Sequence, residues 1–138
     1  MSTTTTTTRS RLARRLRRGA VIAALAGAAL AAAPAPAQAG YSGYGLTLTP
    51  GSTACVGAYA SYQVRGEGFA DRQGAKFTLY KDGALVQSSF GSVPNYAVER
   101  RSSLGNFPGA GFYTFCAKNN KDTNTLVNIY IYTDGNLW

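Results

Sequence analysis

Two cysteines, Cys55 and Cys116, and no histidine are the features that most restrict this chain. Cys116 sits in the aromatic-rich stretch GFYTFCAKNN, residues 111–120, and Cys55 opens a strand-like run about sixty residues earlier. With no imidazole and no third thiol, zinc has too few ligands. An even cysteine count in an oxidising compartment points instead to a disulfide; two buried free thiols are the other reading. Closing a loop of this length stabilises a fold by roughly 4 kcal/mol in the chain-entropy model. The front of the domain would then be tied to its penultimate strand.

The compartment is read from the first 39 residues. A Thr-rich tract is followed by Arg11, Arg14, Arg15, Arg17 and Arg18, then by an apolar run from Gly19 to Ala33 and the break Pro34-Ala35-Pro36. That run matches a secretory h-region and falls short of the ~20 residues needed to span a bilayer. Ala37-Gln38-Ala39 supplies small residues for cleavage before Gly40. Residues 1–39 are therefore expected to be a signal peptide and residues 40–138 a secreted, extracellular domain, with an uncleaved anchor as the alternative. The leader can use either the Sec or the twin-arginine route. No cysteine follows the apolar run to accept a lipid, so no membrane anchor is expected after cleavage.

Cleavage also changes the charge. The chain has fourteen Lys plus Arg and six acids, but six arginines precede residue 40. Eight basic residues then face six acids, a net charge of about +2. Nucleic-acid binding needs a clustered basic patch, and Arg100-Arg101 is the only adjacent basic pair after residue 39. No nucleic-acid partner is expected.

Residues 40–138 suffice for one domain. Their apolar residues alternate with period two in most segments, the signature of strands. Residues 45–49 read as a strand ending at Pro50-Gly51, and residues 54–65 as a second strand. The glycine-rich segment 66–74 reads as a loop. Residues 76–80 and 84–87 flank Asp82-Gly83, a dipeptide suited to the positive φ angles of a primed hairpin turn. Residues 96–103 form a polar edge strand, and residues 106–111 a turn. The strand containing Cys116 and the run 125–132 read as a closing hairpin. About seven short strands predict an all-β, two-sheet antiparallel sandwich.

Residues 77–86, FTLYKDGALV, resemble the C strand and following turn of immunoglobulin-like domains, and residues 111–119, GFYTFCAKN, are similar to the F strand of that family. The resemblance implies an immunoglobulin-like sandwich of the bacterial secreted type. It puts Cys55 on the B strand and makes the Cys55–Cys116 bond an inter-sheet disulfide.

Side-chain alternation supplies a candidate surface. With Cys116 inward, Tyr113 and Phe115 point outward. With Val127, Ile129 and Ile131 inward, Tyr130 and Tyr132 point outward too. Tyr113, Phe115, Tyr130 and Tyr132 are thus the candidate binding residues, four aromatics on one sheet face able to stack on sugars or anchor a protein. A catalytic role is not expected, since no histidine-based triad is possible. Glu67 and Asp71 read as solvated loop charges beside Arg65 and Arg72, and two carboxylates fall short of a calcium site. No metal and no cofactor is expected. The expected function is that of a small secreted binding or adhesion module recognising an extracellular protein or glycan through the aromatic face or the end loops. The alternative is a small inhibitor of an extracellular hydrolase, inserting a loop such as 66–74 or 105–111 into its partner.

Overall fold

The computed structural model describes residues 39–135. The expected signal peptide lies outside the described residues except for Ala39. Eight strands run in the order β1 (Gly40–Leu48), β2 (Thr53–Ala60), β3 (Gln63–Ala70), β4 (Lys76–Lys81), β5 (Ala84–Ser88), β6 (Asn95–Arg101), β7 (Gly111–Lys118) and β8 (Thr125–Thr133), with a single 3-10 turn at Ser102–Leu104. They form two four-stranded sheets, sheet I in the order β1-β8-β3-β6 and sheet II in the order β2-β7-β4-β5. Every pairing is antiparallel.

The two-sheet antiparallel sandwich is the expected architecture, with eight strands instead of about seven. The strand order differs from that of an immunoglobulin domain, whose sheets run ABED and CFG. Here β1 pairs with β8, β2 with β7, β3 with β6 and β4 with β5. Only the β4–β5 connection stays within one sheet; all the others cross over. This is the winding of a jelly roll. The similarity of the β4 and β7 segments to immunoglobulin strands thus extends to the sandwich and not to its connectivity.

Two expectations change with this winding. The β7–β8 hairpin does not form, because β7 is already paired on both edges with β2 and β4, and β8 with β1 and β3. The connection between them is a crossover fastened by Asn119. This buried side chain donates to Leu48 O at 3.0 Å and Thr123 O at 2.7 Å and accepts from Lys121 N at 2.9 Å. The disulfide forms, but within sheet II and not between sheets, because Cys55 and Cys116 are directly opposed on β2 and β7 with Cα atoms 4.1 Å apart.

The run 54–65 is also two strands and not one. It breaks at Ser61-Tyr62, where the buried Asp134 carboxylate accepts hydrogen bonds from the backbone N–H groups of Ser61, Tyr62 and Gln63. One side chain therefore satisfies three donors that a turn leaves unpaired. The Asp82-Gly83 turn is as expected, with φ of 48° and 83°, and β6 is the edge of sheet I.

Residues 66–70, expected in a loop, are strand because Gly66 and Gly68 serve close packing. Both face inward and are buried. A Cβ on Gly66 would stand 2.5 Å from the Phe115 ring of the opposite sheet, and one on Gly68 2.2 Å from Phe77. Phe77, Phe115 and Tyr96 lie nearly parallel, with centroids 5.9 to 6.4 Å apart. Val64, Leu79, Tyr113, Val127, Ile129 and Ile131 belong to the same core and are fully buried. Tyr113 donates its hydroxyl to Gly109 O at 2.7 Å and stacks on Phe107, bracing the loop before β7.

Gly68→Ala should destabilise the domain by about 2 kcal/mol through overpacking against Phe77, read from the urea midpoint. Burial, and secondarily the negative charge of Asp82, push the Tyr113 phenol up to about 12. A raised folded-state pKa gives stability that is complete below the unfolded value of about 10 and is lost as pH climbs towards the folded one. Unfolding measured between those limits should show a falling stability that Tyr113→Phe flattens.

Candidate aromatic surface on sheet I

The outer face of sheet I is set by register. Tyr132 of β8 lies opposite Tyr41 of β1 and Arg65 of β3; Tyr130 lies opposite Gly43 and Glu67; Asn128 lies opposite Gly45 and Phe69. Period-two alternation sends these side chains out, while Val127, Ile129 and Ile131 go to the core. Tyr130 and Tyr132 are thus on the outer face, half-buried, as the sequence predicts.

Tyr113 and Phe115 are not on this surface. Both are fully buried and belong to sheet II. The reason is the parity of β7: the disulfide joins Cys55 and Cys116 across the outer side of sheet II, so Tyr113, Phe115 and Ala117 point inward. Phe112, Thr114 and Lys118 share the outer side with Cys116.

Their places are taken by Tyr41, 62% exposed, and Phe69, 46% exposed. The rings connect into a chain. Tyr41 stacks on Tyr130 at 6.1 Å and 17°, and meets Tyr132 at 5.1 Å and 42°. Phe69 sets its ring edge-on to Tyr130 at 6.4 Å. Gly43 makes room for this, since a Cβ there would lie 2.2 Å from Tyr130 Cδ1. Tyr41 and Phe69 escape sequence reasoning because β1 begins earlier than expected and Phe69 falls in a segment read as loop. The alternation Tyr41-x-Gly43-x-Gly45 is the signal that places the first of them.

Polar groups flank the rings. Arg65 and Glu67 form an ion pair, and Arg101 and Glu99 form another beside it. Acid and base are matched in number here, and the surface offers carboxylate, guanidinium and Asn128 amide groups next to the rings. The Tyr132 phenol is raised above the ordinary tyrosine range, first by desolvation and then by the Glu67 charge. Among the described residues no group of three His, Cys, Asp or Glu could hold a metal ion, and no helix is long and apolar enough to cross a membrane.

Spectrophotometric alkaline titration should show Tyr132 ionising later than an exposed tyrosine. Tyr132→Phe should delete a late-titrating phenol, and Glu67→Gln should shift that phenol back towards the ordinary value. No protein-family model and no curated protein matches the chain.

Proposed function

We propose that this chain is a secreted, non-catalytic binding module whose sheet I face recognises a neutral glycan. The observation that carries the reading is the connected row Phe69–Tyr130–Tyr41–Tyr132 on the outer face. Its rings come from three adjacent strands, β3, β8 and β1, spaced ~4.8 Å apart. Tyrosine gives a sugar an apolar ring to stack on and a hydroxyl to bond. The neighbouring Glu67, Arg65 and Asn128 supply acceptors and donors for sugar hydroxyls. Because the acids are ion-paired, the surface presents neither the basic field that favours nucleic acid nor an acidic one. Core packing does not require these rings, since Val127, Ile129 and Ile131 already fill the inner side of β8.

A hydrolase-inhibitor reading rests on one observation, the loop 105–111. Gly105 and Gly109 have φ of 67° and 103°, and the loop is braced by the Tyr113–Gly109 bond and the Phe107–Tyr113 stack. A loop held in one shape suits insertion into a cleft. Residues 66–70 lie in β3 and no longer serve as such a loop.

Affinity electrophoresis and pull-down against xylan, cellulose and chitin distinguish the two. Wild-type protein is expected to bind at least one of these polysaccharides. Tyr41→Ala and Tyr130→Ala should each weaken that binding about fivefold or more with the fold retained, the loss of a hot-spot aromatic. Absence of polysaccharide binding, or binding indifferent to both substitutions, would overturn the glycan reading. Inhibition of a secreted hydrolase that Phe107→Ala abolishes would establish the second.

A further inference from the structure

On the opposite side of the sandwich, the outer face of sheet II holds an unbalanced pair of cations. Lys76 of β4 and Lys118 of β7 are directly opposed in the strand register. Like charges in that relation destabilise a sheet. The three ion pairs among the described residues lie elsewhere, at Arg65–Glu67, Lys81–Asp82 and Arg101–Glu99. The two lysines line a cleft of about 390 Å³ that contains no acidic side chain. Thr53, Thr78 and Asn120 line it beside them, and Cys116 forms part of its wall. Tyr80 and Leu85 line it as well.

We propose that this cleft is an anion site taking an acidic saccharide, a sugar carrying a carboxylate or sulfate. The oxyanion sits between the two ammonium groups, where its charge offsets their repulsion. Hydroxyls of Thr53 and Thr78 and the Asn120 amide donate to its remaining oxygens. Tyr80 and Leu85 receive the apolar face of the sugar ring. The lysines sit at the first position of β4 and the last of β7. The antiparallel β4–β7 pairing sets the two charges side by side, and on the other edge of β7 the Cys55–Cys116 bond ties that strand to β2 two residues before Lys118. This site is independent of the sheet I surface, and each can be lost without the other.

Thermal melting and calorimetry on the whole protein test it with two probes, sodium sulfate and oligogalacturonate, against sodium chloride at equal ionic strength. Sulfate also stabilises proteins by exclusion from their surfaces, so the readout is the difference between wild type and the double variant Lys76→Gln/Lys118→Gln. Both probes should raise the wild-type melting temperature more than that of the variant. Oligogalacturonate should bind about tenfold tighter than sulfate through its added ring contacts. Without either probe at low salt, Lys118→Gln alone should melt higher than wild type, while Lys121→Gln should not. Lys121→Gln, outside the cleft, should leave the response to both probes unchanged. Equal shifts in wild type and double variant, or no shift, would overturn the site. Sulfate binding with no gain for the oligosaccharide would overturn its assignment to an acidic sugar.

Discussion

The structure depends on which way Cys116 points. A strand sends alternate side chains to opposite faces, so one fixed residue fixes all the others. The bond to Cys55 holds Cys116 on the outer side of sheet II. Tyr113, Phe115 and Ala117 are thereby committed to the core, where all three are fully buried. Phe115 then meets Phe77 and Tyr96 above Gly66 and Gly68, and the missing side chains of those glycines let the two sheets approach. The disulfide and the core are two consequences of a single register.

The winding follows from the same packing. With β7 enclosed by β2 and β4, and β8 by β1 and β3, the two C-terminal strands occupy inner positions in different sheets. Each sheet keeps one outer face, and the two differ in chemistry. Sheet I carries connected rings with ion-paired charges; sheet II carries the disulfide and opposed lysines. The fold positions both surfaces and prescribes neither, so function is argued from the side chains on each face.

Much of this was legible in the chain. The Asp82-Gly83 turn, the alternation of β8, the polar edge strand β6 and the cysteine bond all carry strong local signals. Tyr130 and Tyr132 followed from the Val127, Ile129, Ile131 series alone. What escaped did so for physical reasons. Gly66 and Gly68 have no side chains to reveal the alternation Val64-x-Gly66-x-Gly68, so composition suggested a loop. On β7 both faces carry aromatic residues, Phe112 on one and Tyr113 and Phe115 on the other, so periodicity leaves the parity undecided. An inward cysteine, the arrangement of an inter-sheet bond, would put the opposite face of β7 in the core, whereas the bond within sheet II turns Cys116 outward. Partner choice for β7 and β8 is a non-local property, and closeness in sequence misled there.

The parity of β7 can be measured directly. In a nuclear Overhauser spectrum of the oxidised protein, the Phe115 ring protons should show cross-peaks to the α-protons of Gly66 and to the Phe77 ring, while Phe112 shows cross-peaks to Gly57. Cross-peaks from Phe112 to Val64 or Ile131, with Phe115 showing none to Gly66, would place the opposite face of β7 in the core and contradict the account.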